Sequence, residues 1–194
     1  MKYLMLLMVT AVAVGANAQG KFTINGNLQN AEGEKMYLYY GGFDNQKTDS
    51  VIVTGGKFCF KGEIDAPFMS GTLLLGNPND YDNRKNWRVA IEPQVISLNG
   101  DVNNVKAVVI KGGKAQEELN RMTKEMSVFT DPMAKLNKEY YAQQTQAGRD
   151  SISKLMEPYR KQYGEYTKNY YNTHTDSYFA TNLSLIHISE PTRP

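Results

Sequence analysis

The sequence contains a single cysteine, Cys59, and this is the side chain with the greatest intrinsic reactivity. It alternates with Phe58 and Phe60, so in a strand it would lie on the face opposite to those two rings. Lys57 and Lys61 would share its face and could favour the thiolate. Because no second cysteine is present for a Cys-x-x-Cys pair or an internal disulfide, we expect a structural or neutral thiol.

The two histidines offer little for catalysis. His174 falls in a polar segment where a helix is predicted to end, and a solvated imidazole is not the buried, oriented base that a catalytic triad requires. His187 belongs to a terminal segment that we do not expect to be native. A zinc site would lack ligands.

Two acidic pairs could in principle support acid–base chemistry. Glu117 and Glu118 are predicted to lie on the solvated face of a helix near its N-terminus, where acidic groups suit the helix dipole. Asp80 and Asp82 fall in a predicted polar loop. The sequence therefore predicts no catalytic, cofactor-binding or metal-binding residue.

The loop that contains the second acidic pair also brings two aromatic residues near it. Tyr81 lies within the loop, and Trp87 opens the strand that follows. If exposed, these rings could form a sugar-binding platform. A tryptophan at that position more often packs inward.

Hydrophobic residues alternate with polar ones from Lys21 to about Gly112, which indicates strands with one buried face. About eight short strands with frequent turn signals predict a mainly β fold, an antiparallel β-sandwich or barrel. Gly55-Gly56 is predicted to form a tight hairpin turn, because both glycines allow positive φ. The predicted strands span residues 22–28, 36–40, 50–54, 57–64, 67–75, 87–91, 95–98 and 105–110.

The period becomes helical after Gly112-Gly113, so a helical segment is expected to follow the sandwich as a hairpin or connector. The first predicted helix carries an apolar stripe formed by Ala115, Leu119, Met122, Met126 and Phe129.

Two more helices are predicted beyond this stripe. Asp131-Pro132 is a cap followed by a proline and predicts the start of a second helix, which would end near Gly148. A third is predicted from about Asp150, kinked or interrupted at Pro158. The third carries, at helical spacing, Ile152, Leu155, Tyr159, Tyr163, Tyr166 and Tyr170.

The first eighteen residues are predicted to be a signal peptide. A basic start is followed by the uncharged apolar run 4–14 and by Ala16-Asn17-Ala18, a small-x-small cleavage site, so we expect cleavage after Ala18. The run of about eleven residues is too short to span a bilayer, so no stable membrane insertion is expected. The formal net charge of +2 favours neither nucleic acid nor anionic membrane as a partner.

The last twelve residues, 183–194 (LSLIHISEPTRP), resemble the translation of a transposase adaptor used in sequencing libraries. We therefore expect them to be non-native, with the native reading frame interrupted near Asn182. The predicted organisation is a signal peptide at 1–18, a β-sandwich domain at 19–112, a helical connector at 113–182 and the adaptor-like tail at 183–194.

Several short motifs occur together in a fixed order: FTINGNL at 22–28, MYL at 36–38, DSV at 49–51, GKFCFKG at 56–62, Pro67, IEP at 91–93 and VISLNGD at 95–101. Together they resemble the domain of unknown function that precedes thioredoxin-like domains in exported thiol–disulfide oxidoreductases of Bacteroidetes. The helical stretch and TDSYFA at 175–180 resemble the connector to the redox domain.

The resemblance implies that a thioredoxin-like domain with a Cys-x-x-Cys site follows the connector and is the main partner of this chain. The chain itself would then be a periplasmic accessory domain without redox activity or cofactor, which positions or dimerises the redox domain. A homodimer is compatible with this role. The alternative is a free-standing exported β-sandwich binding module, for example for glycans. The sequence leaves open whether the helices pack on the sandwich or on the missing domain.

Overall fold

The computed structural model describes residues 20–42, 45–80 and 83–179. Eight strands form two four-stranded sheets, and two long helices follow. The predicted mainly β sandwich followed by a helical segment is confirmed, and the sheets do not close into a barrel. The predicted signal peptide and the adaptor-like tail lie outside the described residues. The elements are β1 (Gly20–Gln29), β2 (Lys35–Tyr40), β3 (Lys47–Ile52), β4 (Lys57–Ile64), β5 (Met69–Leu75), β6 (Lys85–Ile91), β7 (Val95–Asp101), β8 (Val109–Lys111), α1 (Lys114–Ala142) and α2 (Gln146–Thr173).

Sheet A has the strand order β4-β1-β7-β8, and sheet B has the order β3-β2-β5-β6. Neighbouring strands are antiparallel except β1 and β7, which run parallel. The alternating apolar residues of each strand face the other sheet and form the sandwich core, because this removes one face of each sheet from water. Among the fully buried side chains of this core are Phe22, Ile24, Leu28, Met36, Leu38, Leu73, Ile91, Ile96 and Leu98.

The predicted turn at Gly55-Gly56 is present, but the strands beside it do not form a hairpin. Both glycines have positive φ, 59° and 72°, and Thr54 forms a bridge with Lys57. Beyond this bridge β3 pairs with β2 in sheet B, whereas β4 pairs with β1 in sheet A. The prediction of a β3–β4 hairpin is therefore wrong, because the turn serves as a corner between the two sheets.

The last predicted strand is also shorter than expected. Within residues 105–110, a 3₁₀ turn occupies Val105–Ala107 and leaves only Val109–Lys111 as β8. Alternation of valines was a poor guide here, because a turn of 3₁₀ helix accommodates the same composition.

Two helices replace the three that were predicted. Pro132 lies inside α1, which runs on to Ala142 instead of ending at residue 131. α2 begins at Gln146 and contains Pro158 without interruption, so Gly148 belongs to its first turn. Proline removes one helical hydrogen bond, and packing of α1 against α2 offsets that loss along both helices.

The predicted stripe of the first helix is confirmed as a packing face. Met122 and Met126 are only 6% and 8% exposed, and Phe129 is partly buried against the same cluster. The α2 stripe is only partly correct, since Leu155 is 57% exposed and Met156, outside the predicted stripe, is buried. The helices pack on the sandwich through α1, which contacts β6 and β8.

Candidate functional site

A cavity of about 250 Å³ lies between the outer face of sheet B and the two helices, and we call it the hairpin cleft. β5 and β6 contribute its floor, α1 contributes two methionines, and α2 contributes a row of tyrosines. The lining residues are Ser70, Arg88, Met122, Met126, Tyr163, Tyr166, Thr167, Tyr170, Tyr171 and Phe179.

Three phenols of the cleft have a pKa raised above the ordinary value of 10. Burial is the main cause for each of them. Tyr166 also donates a hydrogen bond of 2.5 Å to Oε2 of Glu125, which further raises its pKa. Together with Tyr170 and Tyr171, Tyr166 is therefore a neutral group at physiological pH.

Arg88 is the charged side chain of the cleft lining. It extends from the outer face of β6 and is exposed. Among the described residues it has no hydrogen-bond or ion-pair partner, and its positive charge opposes the rise in the pKa of Tyr171. No carboxylate is among the residues that line the cleft, and those of Glu125 and Glu118 lie behind its tyrosines, bonded to the hydroxyls of Tyr166 and Tyr170.

Glu118 holds the polypeptide that follows α2. Its carboxylate accepts hydrogen bonds from the hydroxyl of Tyr170 (2.8 Å), from the hydroxyl of Ser177, and from the backbone N–H of Tyr178 (3.2 Å). Glu118 is 8% exposed, so its predicted place on a solvated helix face is wrong, whereas Glu117 is exposed as predicted. Side chains from α2 and the segment after it cover Glu118, and their donors offset the cost of burying its charge.

Aromatic rings complete the attachment of the same segment. Phe68 packs edge-on against Tyr178, with ring centroids 5.4 Å apart, and against Phe179 at 5.5 Å. Residues 177–179 are thus fixed by a buried carboxylate on one side and by an aromatic cluster on the other. The same segment provides Phe179 to the hairpin cleft.

Polar contacts also fix the start of α1 on the sandwich. Oε1 of Gln116 accepts a hydrogen bond of 2.8 Å from the backbone N–H of Ala90, which satisfies a donor of β6. Oε2 of Glu92 accepts from the backbone N–H of Ala115 (3.2 Å) and of Gln116 (3.4 Å). This carboxylate occupies the helix N-terminus, where negative charge is favoured. Asn120 donates to the carbonyl of Ile110 (2.8 Å) and ties α1 to β8.

The thiol of Cys59 lies on the outer face of sheet A and is exposed, beside Lys57 and Lys61 as the alternation predicted. It borders a shallow depression of about 520 Å³ whose other side chains include Asn25 and Ser97. Among the described residues, no three His, Cys, Asp or Glu side chains lie close enough together to hold a metal ion.

The tryptophan of the proposed sugar platform is part of the sandwich core. Trp87 is 8% exposed, and its Nε1 donates to the carbonyl of Val105 (3.1 Å). Asp80 accepts from Asn83 and helps to shape its loop. Tyr81 and Asp82 lie outside the described residues.

His174 caps the C-terminal end of α2, so the predicted helix end is confirmed. Its exposed ring stacks on Tyr170, with centroids 4.2 Å apart. In the described part of the chain, no helix has the length and apolar character needed to cross a membrane.

The structure thus places the predicted candidates apart from one another and reveals a different site. Arg88 and Tyr171 were not singled out in the sequence, although the helical spacing of the tyrosines indicated one wall of the cleft. The signal that could have found Arg88 is its outward position in β6, between the buried residues Trp87 and Val89.

Residues 22–119 match the sequence profile described as Domain of unknown function (DUF4369). The chain belongs to the DUF4369 family. The match covers the sandwich and the first residues of α1, and so includes Glu92, Gln116 and Glu118. Arg88 is also within it, whereas α2 and the Ser177–Phe179 segment are not.

No curated protein matches the chain. Among solved structures, the chain is similar to one titled "Trapped Toxin" (14% identity, TM-score 0.28, 48% of this chain and 23% of the other). It is also similar to the human-specific toxin intermedilysin (14% identity, TM-score 0.27, 48% and 22%). The DUF4369 chain thus spans less than a quarter of each of these proteins.

Proposed function

We propose that this chain is the periplasmic accessory domain of a thiol–disulfide oxidoreductase, and that it positions a thioredoxin-like redox domain joined after residue 182. The observation that carries this proposal is the anchoring of residues 177–179 by Glu118 and Phe68. A domain joined to an anchored segment leaves from a fixed point, because residues 177–179 are held on the sandwich by their hydrogen bonds and ring contacts.

The path from the sandwich to this exit point is held by hydrogen bonds at both ends. Gln116 and Glu92 fix the first turn of α1 on sheet B, and Glu118, two residues further along, fixes the exit segment. One turn of helix therefore connects the sandwich to the exit. This short, satisfied network suits a positioning role better than a flexible tether.

The redox chemistry itself is assigned to the attached domain. Thiol–disulfide exchange that regenerates a free enzyme needs two thiols, since the second releases the mixed disulfide formed by the first. This sequence has only Cys59. The chain alone should therefore reduce insulin disulfides no faster than dithiothreitol background.

The first test is to read the source gene across codon 182. We expect an open frame that continues into a strand followed by Cys-x-x-Cys. A native stop codon at this position would overturn the proposal.

The second test uses the longer protein encoded by this open frame, which includes the redox domain, and its variant Glu118→Ala. Glu117→Ala is the matched control, because Glu117 is the exposed neighbour of Glu118. We expect the control to keep one fixed orientation between the two domains in residual dipolar couplings, and Glu118→Ala to lose it. Equal couplings in both variants would contradict positioning through this segment. Sedimentation equilibrium of the same samples tests dimerisation, which would appear as a dimer that Glu118→Ala weakens.

A further inference from the structure

The hairpin cleft has the properties of a ligand site that is independent of any redox domain. Its volume of about 250 Å³ is enclosed on three sides by sheet B, α1 and α2. This volume lies just below the range of about 300–1,000 Å³ typical of sites for drug-sized ligands. It suits a single-ring compound.

The walls select for an apolar or aromatic body. Met122 and Met126 provide flexible, polarisable surface, and Phe179 and the tyrosines provide ring faces and edges. The hydroxyls of Tyr166 and Tyr170 already donate to Glu125 and Glu118. Their rings remain available to pack against a ligand, while their hydroxyls are already hydrogen-bonded to these protein carboxylates.

The floor selects for one negative charge. The guanidinium of Arg88 is the cleft's charged group, with no ion-pair partner among the described residues, and no carboxylate competes for it in the lining. The positive charge of Arg88 acts electrostatically on the nearby Tyr171. Ser70 on β5 adds a hydroxyl to the cleft lining. A guanidinium matches a carboxylate by two parallel hydrogen bonds.

From this arrangement we infer that the hairpin cleft binds a small aromatic monocarboxylate, with its carboxylate on Arg88 and its ring between the methionines and tyrosines. The inference goes beyond the proposed function, because binding requires no attached domain. Every residue that lines the proposed site belongs to this chain.

The test titrates the chain with 3-phenylpropionate and, in parallel, with its neutral amide, 3-phenylpropionamide. Binding is followed by the NMR signals of the Met122 and Met126 methyl groups. We expect saturable shifts with the acid and at least about tenfold weaker binding of the amide, because a hydrogen bond to a charged partner is lost. Absence of saturable shifts, or equal affinities for the two probes, would overturn the inference.

Two variants locate the charge. Arg88→Gln should weaken acid binding to the level of the amide. Lys35→Gln is the matched control, since it removes one positive charge from the same outer face of sheet B but outside the cleft. Equal weakening by both variants would show a non-specific electrostatic effect and contradict the site.

A third variant, Ser70→Phe, fills the floor of the cleft and should abolish binding of both probes. Because the acid and the amide are compared in the unaltered chain, the inference stays testable even if a variant fails to fold.

Discussion

The sandwich core and the junction between sandwich and helices are built from different interactions. The core consists of apolar side chains such as Ile24 and Leu98, both 0% exposed. The junction also has an apolar cluster, but the buried polar side chains of the described residues all lie in or beside it. They are Glu92, Gln116, Glu118 and Ser177.

This difference separates stability from orientation. Apolar burial is strong but non-directional, so it holds the two sheets together without defining one alignment for an attached element. Hydrogen bonds to buried carboxylates and amides are directional, and each unsatisfied group would be costly. The core therefore accounts for most of the folding free energy, and the junction fixes where α1, α2 and residues 177–179 lie.

The largest expected effect comes from the core. Leu98→Ala removes a fully buried core side chain of β7, the strand between β1 and β8, and should lower the free energy of unfolding by about 3 kcal/mol. The measurement is urea unfolding followed by the fluorescence of Trp87, the only tryptophan. Asn99→Ala, on the exposed outer face, is the control and should change it by less than about 0.5 kcal/mol. Similar losses in the two variants would contradict the assignment of the inner face.

The junction should show a smaller and more local effect. Glu118→Ala leaves the hydroxyls of Tyr170 and Ser177 and the N–H of Tyr178 without their acceptor. We expect a loss of about 2 kcal/mol, together with much faster hydrogen exchange at the Tyr178 amide. The sandwich amides should keep their protection.

Glu117→Ala is the control for the junction. It removes an equal charge from the exposed side of the same helical turn, so the Tyr178 amide should exchange as in the unaltered chain. A uniform loss of protection across both regions after Glu118→Ala would show that the junction is no separate unit.

The same contrast explains which parts of the structure the sequence could predict. The strands were recognisable because burial on one face imposes period two, as in Phe22, Ile24 and Leu28. The role of Glu118 was not recognisable in the sequence, since one of the donors to its buried carboxylate is Ser177, 59 residues away along the chain. Local sequence shows an acidic residue near a helix start and carries no sign of such a distant donor.

Local rules also failed where tertiary packing outweighs them. Asp131-Pro132 has the composition of a helix start, yet α1 continues through it. The Gly55-Gly56 turn was predicted correctly from its backbone requirement, but pairing partners depend on which sheet each strand joins. The cleft combines Arg88 of β6 with Tyr171 of α2, a juxtaposition that only the packing of helix on sheet creates.

The cleft tyrosines give the junction a distinctive alkaline response. Folding raises the pKa of Tyr166, Tyr170 and Tyr171 above the unfolded value of 10. Their contribution to stability is therefore complete below pH 10 and is lost as the pH rises above it. The free energy of unfolding, measured in urea at several pH values, should fall above pH 10.

Tyr166→Phe should make this alkaline fall shallower, because one raised phenol no longer titrates. Tyr141→Phe is the control, since Tyr141 is 80% exposed and should leave the slope unchanged. If both substitutions altered the slope equally, the raised pKa values could not be assigned to the cleft.

The smallest effect is expected on the outer face of sheet A. Cys59→Ser changes an exposed side chain and should alter the free energy of unfolding by less than about 0.5 kcal/mol. Phe58→Ala, one residue earlier but 5% exposed, should cost about 3 kcal/mol, since the adjacent side chain points into the core. Urea unfolding of the two variants, with thiol titration of the folded chain, measures this contrast. A large loss in Cys59→Ser, or a thiol that stays unreactive until unfolding, would mean that this face is covered in solution by a second copy of the chain. The exposed outer sheet would then contribute to assembly, and the division between a stabilising core and an orienting junction would need a third region.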